Sequence, residues 1–557
     1  MKKRNNHIKR LTAYCFVVAA FISGALAQSR ISPVIPMPQS IQPREGVFVL
    51  SDQTPVYSDP ISKGTAVRYF LTELLKHKGL ALSRNASSSL PAVKFILQSE
   101  KRSKDALYQL DIRPEGIQVK ASTEEGLFAG SVSVLQIVRN TALKDKKLEL
   151  ACYAISDAPF YNWRGLMLDE SRHFFGKEKV KDILDWMAFY KLNKFHWHLT
   201  DQPGWRLEIK GYPKLNLIGG IGNYSDPLAP AKYYTQDDIN EIVAYAAARF
   251  IQVIPEVDMP GHATAANKAY PEFSGGGNEK YPEFTFNPGK EATFQYLNNI
   301  LKEVNVLFPS GMIHIGADEV HFGNDNWNKD PAVQALMKDK QLKDLKEVEN
   351  YFVHRIADSI VKMGAEVLAW DEVVGSSLPI NKTTVFWWRH DKRAELMKAF
   401  NKGFKTVLCP RLPLYFDFVQ DSTQKIGRKW AGNFVPIKSV YEFPDKEILE
   451  HPKSKQLVRG IQANIWTESV STEQHLDYML FPRITALAES AWTNPLKKNY
   501  SDFELRLKRH LRLFAESGLY YFDPFEPGKY KEFNGPVQRK NMMPDTDELT
   551  RQERQIK

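Results

Sequence analysis

Two adjacent acids, Asp318 and Glu319, follow Met312 to Gly316, a run that reads as a buried β-strand within MIHIGADEVHFGNDNW. Acids at a strand end are candidates for proton chemistry. Successive strand side chains leave opposite faces, so these two can converge on one ligand only if the pleat breaks where strand becomes loop. Two carboxylates that act as a pair on a sugar must face each other across the scissile bond, and sequence neighbours do not fit that geometry. A partner for Glu319 must come from elsewhere. Asp-Glu alone is also an ordinary helix cap or solvated loop. Gly316, which permits close backbone approach, the flanking His314 and His321, and Trp327 in a Gly/Asn-rich loop weigh toward a site.

The elements that must position this pair emerge from periodicity. After Asp157-Ala158-Pro159, short apolar strands alternate with helical stretches. The strands are 164–168, 194–199, 252–257, 312–317, 366–369, 384–387, 405–408 and 460–465, and the helical stretches include 178–190, 235–249 and 292–308. Eight parallel strands with helical crossovers predict a (β/α)8 TIM barrel, with a doubly wound sheet as the alternative. No Gly-rich phosphate loop follows any strand. The preceding residues 28–155 read as a small α/β domain. Within it, 108–112 and 117–121 alternate as strands around Arg113-Pro114-Glu115-Gly116, and Ser122-Thr123-Glu124-Glu125 opens an amphipathic helix. The catalytic barrel is placed at 156–525, its last helix within 502–517, and a polar tail at 526–557.

Carboxyl ends of barrel strands share one mouth. In order they offer Asp169 and Arg172, Asp201, Asp258 and His262, Asp318 and Glu319, Trp370 and Asp371, Trp388, Tyr415 and Asp417, and Trp466 and Glu468. Tryptophans beside acids form a carbohydrate-site composition, because indole faces stack on sugar C–H faces while carboxylates and Arg take hydroxyls. Each residue also has an ordinary reading: Asp201 before Gln-Pro-Gly as a turn residue, His262 as a loop histidine, Tyr415 as packing. His196 and His198 share a strand face but lack a third ligand at metal spacing, so core or supporting roles are expected.

Five segments in order resemble glycoside hydrolase family 20, the β-N-acetylhexosaminidases: Trp163 to Asp169 (WRGLMLD), His196 to Asp201 (HWHLTD), Val257 to His262 (VDMPGH), His314 to Glu319 (HIGADE) and Trp466-Thr467-Glu468. The resemblance spans about residues 30–521, small domain included. It implies substrate-assisted retaining catalysis, in which the 2-acetamido oxygen supplies the missing nucleophile. Carried over, it makes Glu319 the general acid and base, with burial and Asp318 raising its pKa. Asp318 holds the acetamido N–H, Tyr415 donates to the acetamido oxygen, and Asp201 and His262 orient Glu319. Trp370, Trp388 and Trp466 wall the pocket, and Arg164, Asp417 and Glu468 bind hydroxyls, although Arg164 begins its strand, where barrel logic expects stability. Where relatives carry a further tryptophan after the seventh strand, Val440-Tyr441-Glu442-Phe443 offers Phe443 as the outer wall.

The whole chain bounds these readings. Its 557 residues exceed one core. Met1 to Ala27 has a basic start, an apolar stretch and an Ala-Leu-Ala ending, the pattern of a signal peptide cut before Gln28. Its removal takes five basic residues and no acid, so the formal charge falls from +10 to +5. That mild balance, without a basic stripe, does not indicate a nucleic-acid partner. No later run spans a membrane, and a periplasmic or extracellular enzyme without a stable membrane anchor is expected. Cys152 and Cys409 remain after cleavage, more in keeping with buried thiols than a disulfide. Asn85, Asn223, Asn381 and Asn499 are glycosylation sequons only in a glycosylating host.

The reading is an exported, exo-acting enzyme on N-acetylhexosamine-terminated glycans that needs no cofactor or metal. Its alternatives are a specialised relative releasing a disaccharide or sulfated sugar, a metal-dependent barrel lyase or isomerase, and a catalytically silent glycan binder. The natural glycan, the linkage and the oligomeric state are not legible in the sequence.

Overall fold

The computed structural model describes residues 32–84, 92–98 and 107–532. The expected leader over 1–27, the Asn85 sequon and the tail from 533 onward lie outside the described residues. Two compact units divide the chain: one joins the segment up to Ala158 with Asn499–Leu513, and the other holds Pro159–Lys498 with Phe514 onward.

In the first unit, β1 (Ser40–Ser51), β2 (Val56–Ser58), β3 (Val93–Leu97), β4 (Tyr108–Arg113), β5 (Gly116–Ala121) and β6 (Lys147–Asp157) form one sheet in the order β1-β6-β4-β5-β3-β2. Alternation buries Tyr108, Leu110 and Ile112 of β4 and Ile117, Val119 and Ala121 of β5. The helix Glu124–Arg139 packs on that face, its N-terminus capped by Thr123, whose side chain accepts from the Gly126 N–H. The expected last barrel helix is Tyr500–Glu516, and its part up to Leu513 belongs to this first unit, while Phe514 onward belongs to the second. Arg506 Nη1 donates to Val34 O at 3.1 Å, and His510 Nε2 to Pro33 O at 2.6 Å. An apolar stripe shows that a helix needs a partner but not which one.

The second unit is built on eight parallel strands: β7 (Trp163–Asp169), β8 (Lys194–His198), β9 (Gln252–Glu256), β10 (Met312–His314), β11 (Glu366–Trp370), β12 (Thr383–Trp387), β13 (Lys405–Leu408) and β14 (Val458–Ile465). They close in chain order into a barrel, β14 pairing with β7. Crossover helices include Lys177–Phe189, Glu291–Leu307 and Gln236–Ala247, the last opened by a Thr235/Asp238 capping box. The expected strand over 312–317 stops at His314, because Gly316 and Ala317 take φ of 64° and 66°. The interior holds polar side chains among its apolar ones. Gln462 Nε2 lies 3.0 Å from His196 Nδ1 across the barrel and donates to Asn464 Oδ1 at 2.9 Å, while His314 meets the Phe386 ring edge-on at 4.8 Å. His196 and His198 are both buried in this interior.

Candidate active site

The break after β10 aims the acid pair. Ile315 N bonds Leu368 O and Trp370 N bonds Gly316 O, so the backbone stays tied to β11 as the pleat is lost. Gly316, Ala317 and Glu319 are all left-handed, an arrangement that non-glycine residues hold only when the surroundings over-determine it. Asp258 is the determinant: its Oδ1 accepts Ala317 N–H at 3.3 Å, and a Cβ at Gly316 would stand 1.8 Å from that same oxygen. In consequence both acids turn to one side. His262 Nε2 is 3.6 Å from Glu319 Oε2 and 3.8 Å from Asp318 Oδ2. Glu319 is less buried than the sequence led one to expect, its side chain keeping 30% exposure while that of Asp318 keeps 12%.

Behind the pair runs a buried chain of charge. His262 Nδ1 lies 3.0 Å from Asp201 Oδ1. Asp201 Oδ2 is shared by His198 Nε2 at 3.0 Å and Arg172 Nη2 at 2.8 Å. Burial opposes charging His262, but Asp201, Asp318 and Glu319 outweigh it and push its pKa up to about 9. Burial likewise opposes charge on Asp201, yet Arg172 and His262 hold it well below the carboxylate range. Burial, then Glu256 and Asp201, push Asp258 well up; burial, then Asp258, do the same to Asp318. Two such neighbours do not both ionise readily. The deeper Asp258, hemmed by two anions, is the one held neutral, while Asp318 faces the His262 cation.

The pocket above is an open cleft of about 630 Å³, a volume that includes solvent at its mouth. Trp388 and Tyr415 stack at 6.3 Å with planes 12° apart, Trp466 closes the next side 6.1 Å from Tyr415, and Trp388 Nε1 is fixed by Glu372 Oε2 at 3.0 Å. Trp370 stands behind Trp466, centroids 6.0 Å apart, with Nε1 donating to Glu256 Oε1 at 2.9 Å. Opposite lies a cation-rich edge. Asp169 Oδ1 accepts the Ser171 and Arg172 N–H groups, presenting the Arg172 guanidinium 4.9 Å from the Trp466 ring. Arg428 pairs with Glu468 and lies 3.3 Å from Asp417, whose pKa burial pushes up to about 7, with Arg428 working against it.

The family model described as Glycosyl hydrolase family 20, catalytic domain, matches residues 161–495, and that of domain 2 matches residues 32–158. The chain belongs to glycosyl hydrolase family 20. It is 33% identical to a β-hexosaminidase of Vibrio furnissii over 82% of this chain and 76% of that protein. It is 30% identical to one of Porphyromonas gingivalis over 90% of this chain, although it spans 66% of that longer protein. Among solved structures, the GH20 exo β-N-acetylglucosaminidase of Vibrio harveyi in complex with N-acetylglucosamine superposes with TM-score 0.81 at 32% identity, covering 89% and 79% of the two chains.

In this family 20 β-hexosaminidase, a glycoside hydrolase, the structure brings Asp201, His262, Asp318, Glu319, Trp388, Tyr415, Trp466 and Glu468 to one pocket, with Trp370 and Asp417 directly behind. Arg164 is not among them. At the start of β7 its Nε donates to Lys191 O at 2.8 Å and its Nη1 to Tyr161 O at 3.0 Å, so it ties the barrel's base together, away from the pocket. Arg172, three residues past the far end of β7, does reach the pocket, as do Arg411 and Arg428. Its signal was its place three residues past a mouth aspartate. Phe443 is a second correction. It ends the helix Ile437–Glu442, is 7% exposed, has its carbonyl bound by Lys498, and does not line the pocket. The tryptophan near the mouth is Trp430, its ring 4.0 Å from the guanidinium of pocket-lining Arg411. Arg428, eleven residues past Asp417 in a long loop, carried no sequence signal.

Proposed function

We propose that this enzyme is exported and removes terminal β-linked N-acetylglucosamine, with N-acetylgalactosamine as the alternative sugar, from glycoconjugates or chito-oligosaccharides with retention, using the substrate's acetamide as nucleophile. The observation that carries this reading is the one-sided acid pair. Asp318 and Glu319 both face His262, whereas the carboxylates opposite, Asp417 and Glu468, stand against Arg428 and are suited to hydroxyl recognition. The wall near Asp318 presents Tyr415, a buried phenol whose pKa burial raises well above its usual value, so that it donates a hydrogen bond. The Vibrio harveyi relative, named for exo-acting β-N-acetylglucosaminidase activity, is in line with the sugar proposed.

In this scheme the acetamido oxygen attacks the anomeric carbon, the glycosidic C–O electron pair leaves with the departing oxygen, and Glu319 protonates that oxygen. Asp318 accepts the acetamido N–H and balances the positive charge of the oxazolinium, while Tyr415 orients the carbonyl. Glu319 then takes a proton from water, which opens the ring and restores the β-configuration. Arg172, Asp417 and Glu468 hold ring hydroxyls. Export rests on the leader pattern of residues 1–27.

The experiment is hydrolysis of aryl β-glycosides. The 2-acetamido substrate should be cleaved, with or without chelator, and its 2-hydroxyl counterpart should be nearly inert. Efficient cleavage of the 2-hydroxyl sugar would require a protein nucleophile and overturn the scheme, and binding without turnover would leave a silent glycan receptor.

A further inference from the structure

Glu256 ends β9 with no exposure, and no step above uses it. Three donors or potential donors meet its oxygens. His196 Nε2 at 2.9 Å and His198 Nδ1 at 2.6 Å meet Oε2, and Trp370 Nε1 at 2.9 Å meets Oε1. His314 Nδ1 lies 3.1 Å from Oε1 but accepts the Gly316 N–H. A carboxylate this deep needs a compensating cation. His196 is not that cation: Gln462 donates to its Nδ1, which leaves the single ring proton on Nε2, and burial lowers its pKa to about 4. His198 is. Both its nitrogens face carboxylates, Glu256 on one side and Asp201 on the other, the arrangement of an imidazolium. Charge therefore alternates from Glu256 through His198 and Asp201 to His262.

We propose that Glu256 is a positioning residue of the hydrolysis, the buried anchor that, through His198 and Asp201, keeps the His262 ring charged and fixed against Asp318 and Glu319. The proposal rests on the reading of Glu319 as acid and base. The groups facing this chain from neighbouring elements are Arg172, 3.4 Å from His198 Nε2 and 2.8 Å from Asp201, together with Asp169 and Asp258. Arg172 holds Asp201 anionic in any case, so losing Glu256 acts on the His198 and His262 rings. Trp370 shares Glu256, which also joins the indole behind the pocket to the same anchor.

The test compares wild type, Glu256→Gln, His198→Gln and His262→Asn, with the double variant Glu256→Gln/His262→Asn. Glu256→Gln should lower kcat about 10–100-fold with KM little changed, as loss of an orienting partner does, and shift the alkaline limb of kcat/KM to lower pH. It should cost nothing further in the His262→Asn background. Wild-type kcat and pH profile in folded Glu256→Gln, or an equal loss in both backgrounds, would overturn the proposal in favour of mere packing. Should both glutamine variants fail to fold, histidine-selective NMR titration of the unsubstituted enzyme decides: His198 charged through neutral pH supports the chain, and His198 neutral at pH 6 overturns it. That titration reads the chain independently of turnover, so failure of the acid-base reading of Glu319 would be seen separately, in the aryl glycoside assay.

Discussion

Arg164 and Arg172 sit at opposite ends of one stretch and do different work, although residue type alone makes them equals. Arg172 neutralises Asp201 and lies 3.4 Å from Asp169, both buried. Arg172→Ala should therefore leave uncompensated charge worth about 3–5 kcal/mol and lower kcat/KM by roughly 10²-fold or more, read by steady-state kinetics. Arg164→Met strands the Lys191 and Tyr161 carbonyls and should lower the melting temperature while kcat/KM of the folded enzyme is kept. The reverse pattern would return Arg164 to the pocket. His262 sets a pH dependence with a definite sign. Its folded pKa of about 9 lies above the ordinary 6.5, so its charge and the stability it lends are complete below about pH 6.5 and lost as pH rises through about 9. The alkaline limb of kcat/KM should fall near pH 9 and disappear in His262→Asn.

Among the elements, the short β10 matters most, because its early end makes two sequence neighbours into partners on one side. Gly316→Ala would force a methyl group against Asp258, whose bond to Ala317 sets the turn. Activity should drop about 10²-fold or more through misaimed carboxylates, and an unchanged kcat/KM would show that the turn tolerates displacement. Much of this level was legible. The adjacency of Asp318 and Glu319 requires a broken pleat, and the Trp and acid positions follow from barrel strand ends, but the strand expected from the sequence runs on to 317, past the early stop at His314. What was not legible depends on contacts distant in sequence. Glu256 reads as one more residue of a buried strand, its role visible only once His198, His314 and Trp370 surround it. Phe443 and Trp430 share one long connection after β13, and spacing cannot tell which aromatic turns toward the mouth.

At the scale of the whole molecule, the barrel and the small domain before it follow from periodicity, but the allegiance of the helix Tyr500–Glu516 does not. Its Phe503, Leu507 and Leu511 are buried, and Arg506 and His510 satisfy the carbonyls of Val34 and Pro33. Leu507→Ala should cost about 2–5 kcal/mol of stability, with amide protection lost first in the first unit; hydrogen exchange that weakens only the barrel strands would detach the helix from that unit. The discontinuity of that unit bears on biosynthesis. A ribosome delivers the amino terminus first, and domains commonly fold as they emerge. Here Pro33 and Val34 wait through the synthesis of the entire barrel for Arg506 and His510, so a segment made before the barrel is completed only after it, and a nascent chain halted before Asn499 carries an unfinished first unit.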